Sequence, residues 1–291
     1  MKTYNKKRFY KKKWFLFFLV LCIICVFLQF FLQFRTSDKQ TLKIFKKAHV
    51  PVSIKYFNVK ATNCSIRAIE TSEKKKNTVL FVHGAPGSAD AFYNYLKDPT
   101  LLKNAEIVTF DRPGYGYSDF GKAHPSIIKQ AMAVSELIDS LHLKNVILVG
   151  HSYGAPVAAY ATLKNKDIKG LVMLSPAIAP DKEIYFWIGN LARWRATRWL
   201  VPPAFVVSAD EKYTHEAALR LIEPQWKNLQ VPTVIIHGKK DMLASYENMT
   251  YAKEQFKNAP VRTISLPEEN HFIPWTKQQL IVREIDSLIH L

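Results

Sequence analysis

The chain has 291 residues, 48% of them hydrophobic, and a formal net charge of +17, which is enough apolar material to give a core to one large domain or two small ones. Seven of those net charges sit in residues 1–13, where lysine and arginine stand without an acid, so the basic excess needs a local cause there and only a weak one elsewhere. Cys22 and Cys25 fall in an apolar run and Cys64 stands alone beyond it, which excludes an internal disulfide in the rest of the chain and leaves the redox compartment open.

From Trp14 to Phe34 the sequence carries no charge across 21 residues, sufficient for a helix to cross a hydrocarbon core roughly 30 Å thick. A cleavable signal has a shorter apolar region and small residues at its cut site, whereas this run ends in Phe31, Leu32, Gln33 and Phe34. The expectation is an uncleaved membrane anchor over 14–34 behind a basic tail over 1–13, which removes the need for a nucleic-acid arm. Basic residues flank the run on both sides, so the positive-inside bias is modest; it favours a cytoplasmic N-terminus with residues 36–291 on the extracytoplasmic side of the cell membrane. Residues 35–51 read as a linker or short surface helix against headgroups, and 52–291 as the folded domain.

Val52–Lys60 and Ser65–Glu70 alternate imperfectly and predict two antiparallel strands. Thr78–Val82 is a buried strand running into His83-Gly84-Ala85-Pro86-Gly87, an irregular loop ahead of a helix expected over 89–96. Ile107–Phe110 is the next strand and ends in Asp111-Arg112-Pro113-Gly114-Tyr115-Gly116. The turn residues there favour a structural Asp111 over a catalytic one. A helix over 125–142 leads to the apolar strand Val146–Val149, followed by Gly150-His151-Ser152-Tyr153-Gly154 and an Ala-rich helix. That strand-to-helix turn holds Ser152 at a helix N-terminus, where N–H groups and the helix dipole favour developing negative charge. A serine hydroxyl is a weak nucleophile at its free pKa, so the reading requires a histidine base and a group to orient it.

Ile168–Leu174 continues the strand rhythm, which then breaks between about 176 and 229. Ile184–Trp199 holds three tryptophans and three arginines, read with equal weight as internal packing with Arg–Trp stacking or as a lipid-facing surface; a second helix is expected over 210–222. Two further strands, Val231–Ile236 and Val261–Leu266, end near Asp241 and His271, with helices after each.

In this order, the glycine-proline loop, the Asp-Arg-Pro-Gly-x-Gly loop and the Gly-x-Ser-x-Gly elbow resemble the α/β-hydrolase superfamily over about residues 50–291. The resemblance implies an α/β fold with a mostly parallel eight-stranded sheet flanked by helices and a helical cap inserted at about 176–229. It implies a catalytic Ser152, an acid at Asp241, with Glu247 as the lesser candidate, and a base at His271. The oxyanion would lie between the N–H groups of Ala85 and Tyr153, with His83 supporting the loop. Neither a cofactor nor a metal is implied. The expected activity is hydrolysis of a small-molecule or lipid-like ester through an acyl-serine. A proline-iminopeptidase-like activity is the runner-up, with Asp181, Glu183, Asp210 and Glu211 as candidates to capture a free amine. A membrane-anchored binding protein without catalysis is a third reading, and serine at the elbow argues against the epoxide-hydrolase and dehalogenase branches.

Overall fold

The computed structural model describes residues 5–291, with side chains from residue 11 onward, so part of the basic tail lies outside the described residues. Eight strands form one sheet: β1 Val52–Val59, β2 Cys64–Thr71, β3 Thr78–Val82, β4 Glu106–Phe110, β5 Val146–His151, β6 Ile168–Leu174, β7 Thr233–Gly238 and β8 Val261–Leu266. Their order is β1-β2-β4-β3-β5-β6-β7-β8; the β1–β2 and β2–β4 pairs are antiparallel and all others parallel. The helices are α1 Asn5–Phe31, α2 Asp38–Lys47, α3 Pro99–Asn104, α4 Ile127–Ser140, α5 Gly154–Thr162, α6 Asn190–Arg193, α7 Pro203–Ile222, α8 Glu247–Gln255, α9 Ile273–Thr276 and α10 Gln278–Ile289.

The central strands are apolar on both faces because both faces are covered. Leu80, Val82 and Leu148 join α4 and α5 in one core layer, while Val79, Phe81, Ile147 and Val149 join α10 and Phe45 of α2 in the other. β3 sits between β4 and β5, so the chain leaves β3 to one side and departs from β5 to the other. That reversal falls at the carboxyl ends of β3 and β5, the place where open α/β sheets hold ligands.

Three local expectations are corrected. Residues 89–96 form two 3-10 turns, Ala89–Phe92 and Tyr95–Lys97, before α3; Asp98 accepts the N–H groups of Thr100 and Leu101 and Pro99 occupies the first turn, so the regular helix starts there. The segment 184–199 is not one helix but short turns around the four-residue α6. α7 begins at Pro203, seven residues ahead of the expected 210, because proline suits the first helical position and Ala204, Val207 and Glu211 bury one face. The stretch 35–51, expected as a linker or short surface helix, contains α2, capped by Ser37 and packed through buried Thr41 and Phe45.

Candidate active site

Ser152 follows β5 with φ +54°, a left-handed conformation that costs a non-glycine residue roughly 1–3 kcal/mol and persists only where its surroundings over-determine it. They do so here. The Ser152 N–H donates to the Leu174 carbonyl at 3.0 Å, and the Ser152 carbonyl accepts Ala155 N–H at 3.0 Å and Ala177 N–H at 3.3 Å. A methyl group on Gly150 would lie 2.6 Å from the Gly154 carbonyl oxygen, and one on Gly154 would lie 2.4 Å from that of Val82. Both positions therefore require glycine for strand and helix to approach.

The second element is the corner between β7 and β8. Asp241 Oδ2 accepts His271 Nδ1–H at 2.8 Å and His237 Nε2–H at 3.1 Å, and Oδ1 accepts the N–H groups of Leu243 and Ala244, both at 2.9 Å. Burial pushes this carboxyl up, but the hydrogen bonds from His237 and His271 outweigh it and hold Asp241 well below the ordinary carboxylate range. With Nδ1 committed to the carboxylate, His271 keeps Nε2 as a proton acceptor. The loops meet because Gly238 has no side chain, since a Cβ there would sit 2.3 Å from the Glu269 carbonyl oxygen.

His151 ties this corner to the elbow. Its Nε2–H donates to the His271 carbonyl at 3.1 Å, and burial, together with the neighbouring His271, lowers its pKa to about 3. A neutral ring that fixes the His271 backbone thus stands one residue before Ser152. No hydrogen bond joins Ser152 Oγ to His271 among the described residues; such contacts often tighten only when substrate is bound.

The loop after β3 lies against the serine, for a Cβ on Gly84 would meet Ser152 Cβ at 3.0 Å. His83 supports it as expected: Nδ1–H donates to the Gly84 carbonyl at 2.7 Å and Nε2 accepts the Arg112 N–H at 2.9 Å. Burial, with the Arg112 charge beside it, keeps His83 well below its ordinary pKa. Among the described residues the N–H groups of Ala85 and Tyr153 donate to no backbone carbonyl.

A family model described as alpha/beta hydrolase fold matches residues 77–201. A Mycoplasma genitalium protein named "Putative esterase/lipase 3" is 31% identical over 247 residues, covering 74% of this chain and 88% of that protein. The chain belongs to the α/β-hydrolase family. A proline iminopeptidase of Lactobacillus acidophilus is 24% identical over 189 residues, with 60% of this chain and 62% of that protein covered. The solved structure of a membrane phospholipase A, described as a bacterial virulence factor, superposes with a TM-score of 0.66 at 16% identity. It covers 96% of this chain and 98% of its own, and the likeness shows a shared fold.

In this α/β-hydrolase the cap is bolted to the loops around Ser152 by a buried cluster that the sequence did not disclose. Arg112 donates to Glu211 of α7 at 2.7 and 3.2 Å, to Gln130 at 2.7 Å and to the carbonyls of His83 and Gly84 at 2.8 and 3.1 Å. Tyr115 adds a hydroxyl donated to Glu211 at 2.7 Å. One turn further along α7, the His215 ring stacks on Tyr153 with centroids 4.5 Å apart, so the cap lies over the elbow.

The other sequence candidates are engaged in pairings of their own. Asp111 accepts the N–H groups of Ala89 and Tyr117, both at 2.8 Å, and pairs with Arg67 at 3.4 Å. Glu247 forms an exposed ion pair with Lys182. Asp210 is held by Arg198, Glu183 by Lys212 and His215, and Asp181 by Arg220. His237 and His151 are the partners that sequence reasoning missed; a histidine four residues before Asp241 and another next to Ser152 were the only signals.

Proposed function

We propose that this α/β-hydrolase is a membrane-anchored serine hydrolase that cleaves a carboxylic ester through an acyl-serine. The observation that carries the proposal is the Asp241–His271 hydrogen bond at 2.8 Å, tied through His151 to an elbow serine at φ +54°. As Ser152 Oγ attacks the acyl carbon, His271 Nε2 takes the hydroxyl proton and Asp241 stabilises the imidazolium. The oxygen that becomes negative is met by the N–H groups of Ala85 and Tyr153, each worth about 3 kcal/mol by analogy with removal of one such donor. Collapse breaks the ester C–O bond, and His271 returns its proton to the leaving alcohol. Water then attacks the acyl-serine with the same imidazole as base, releasing acid and restoring Ser152.

An ester is favoured over a peptide amide because all four carboxylates that might have captured a free amine are engaged by arginine, lysine or histidine, with Glu211 entirely buried. The likeness to an esterase/lipase over most of both chains points the same way. The anchor reading rests on the helical stretch Lys11–Phe31, which has a mean hydropathy of 2.8 and none of its apolar window buried. We assign the folded domain to the extracytoplasmic side on the charge pattern alone. A fluorophosphonate probe should label the wild-type protein and leave Ser152→Ala unlabelled; labelling that survives the substitution overturns the assignment of the nucleophile.

A further inference from the structure

The passage from the apolar helix to the folded domain is not a tether. Phe34 packs its ring edge on Phe205 of α7 with centroids 5.5 Å apart. Arg35 lies over the rings of Phe120 and Tyr117 at 4.4 and 5.0 Å, and Thr36 donates to Asp90 at 2.8 Å. Ser37 caps α2, and Asp38 pairs with buried Arg67 at 2.7 Å. Five consecutive residues are thus each fixed to the domain or to α2, which itself is seated in the core through Phe45. The direction in which α1 leaves the domain is set, and with it the face that the domain turns toward whatever surrounds α1.

That face is the first part of the cap. Within the last turns of α1, Gln29 donates its amide to the Trp199 carbonyl at 3.1 Å. Gln29 precedes the end of α1 by two residues, about 3 Å of helix rise, so Trp199 stands at the depth where the apolar helix runs out. Around it Trp187, Ile188, Trp194 and Trp199 are 78%, 59%, 62% and 70% exposed. The arginines of the same segment do not stack on these indoles: Arg198 is bound by Asp210 through both terminal nitrogens at 2.8 and 2.6 Å, and Arg193 lies over Tyr213 at 4.3 Å. The structure therefore separates the cluster only in part: Arg198 and Arg193 are engaged by Asp210 and Tyr213 of the cap, Arg193 and Arg195 are exposed, and the three tryptophans are turned out. Exposed tryptophans at the exit of an apolar helix match the amphipathic belt that aromatic rings form at the membrane–water interface.

We propose that the 187–199 face of the cap is seated in the headgroup region of the bilayer that α1 spans, so that the enzyme takes acyl esters resident in that bilayer. The proposal rests on the ester and anchor readings above and adds a fixed orientation, with α7 carrying both the contact to Phe34 and the His215 ring on Tyr153. The bilayer, and not a protein, is the occupant because the patch meets α1 at Gln29, and among the described residues none of the apolar window of α1 is buried.

The test uses the full chain in vesicles of phosphatidylcholine and phosphatidylglycerol. In a Trp14→Phe, Trp275→Phe background, Trp187, Trp194 and Trp199 remain as exposed reporters, since Trp226 is wholly buried. Their fluorescence is expected to be quenched more by phosphatidylcholine brominated near the headgroup than by lipid brominated near the chain end. Two variants then read function: Trp187, Trp194 and Trp199 together to serine, and a six-residue glycine-serine insert after Phe34 that keeps the anchor and frees the domain. Each should lower the rate on a long-chain 4-methylumbelliferyl ester dissolved in the vesicles about tenfold, a difference of about 1.4 kcal/mol, while the rate on soluble p-nitrophenyl acetate is unchanged. Absence of headgroup quenching, or equal rates on both esters in both variants, overturns the seating. Failure of the underlying readings is distinct. Release of wild-type protein from membranes by alkaline carbonate would remove the anchor, and acetate-ester hydrolysis that survives Ser152→Ala would remove the serine mechanism.

Discussion

Two strand ends in this molecule carry a buried aspartate, and the proposed mechanism puts them to opposite uses. Asp111 after β4 accepts two backbone N–H groups and pairs with Arg67, and burial pushes its carboxyl up against those partners. Asp241 after β7 also accepts two backbone N–H groups, but its second oxygen is shared by two imidazoles whose hydrogen bonds hold it well below the ordinary range against its burial. Both are rigid. What separates them is the partner: Arg67 is permanently charged and cannot exchange a proton, whereas His271 retains a free acceptor nitrogen. On the proposed mechanism, a strand-end carboxylate joins in proton chemistry when the group it orients can itself take a proton, and it remains scaffolding when that group cannot.

The largest effect that would break this contrast is on rate. Asp241→Asn should lower kcat by about 10⁴-fold through loss of the correct His271 tautomer, with circular dichroism close to wild type and melting lowered by loss of the stabilising carboxylate charge. Glu247→Gln, at an exposed ion pair, should change neither rate nor melting. Loss of activity in Glu247→Gln with near-normal turnover in Asp241→Asn would reverse the assignment of the acid.

The next effect is on stability. Glu211→Gln leaves Arg112 buried without its charged partner, and breaking a buried pair in this way costs about 3–5 kcal/mol; Asp111→Asn leaves buried Arg67 with only the partly exposed Asp38 opposite it, a smaller loss of the same kind. Urea midpoints of both variants should fall below wild type, while turnover per folded molecule stays within an order of magnitude for Asp111→Asn. Glu211→Gln should also raise KM, because Arg112 holds the His83 and Gly84 carbonyls beside Ala85. An unchanged urea midpoint in either variant would mean that the buried pair is not what secures its loop.

These contrasts mark what was legible in the chain. Local patterns foretold the strands, because Val79 to Val82 and Val146 to Val149 are apolar on both faces, and the elbow, because Gly150 and Gly154 bracket a serine where strand periodicity stops. The turn chemistry after β4 also separated Asp111 from the reactive candidates. What escaped the sequence is set by meetings across long separations: Glu211 with Arg112, the His151 ring with the His271 carbonyl, and Phe34 with Phe205. No periodicity encodes such pairs. The true start of α7 was obscured because Pro202 and Pro203 read as an interruption, when the second proline in fact opens the helix. The tryptophan and arginine cluster could not be resolved from spacing either, since only the fold decides that Arg198 is held by Asp210 while the tryptophans find no cover.

The smallest effect sharpens the contrast at a single hydrogen bond. His237 shares Asp241 Oδ2 with His271 and gives the same Nε2–H to the Ala244 carbonyl at 3.1 Å, while its Nδ1 is buried without a partner. Because the native Asp241 carboxyl is depressed below the unfolded value of about 3.9, its charged form stabilises the fold above that pH, and the contribution is lost as pH falls through the lower native value. His237→Leu removes one of the two imidazole donors, so the native Asp241 carboxyl moves back up and the interval between folded and unfolded values narrows. Acid unfolding followed by tryptophan fluorescence should then begin at a higher pH than in wild type. A Gln side chain can still offer an N–H toward Asp241, so His237→Gln should recover part of the shift at similar volume. A loss of neutral-pH stability that is equal in the two variants, with an unmoved acid transition, would show that His237 fills space and does not hold the carboxylate.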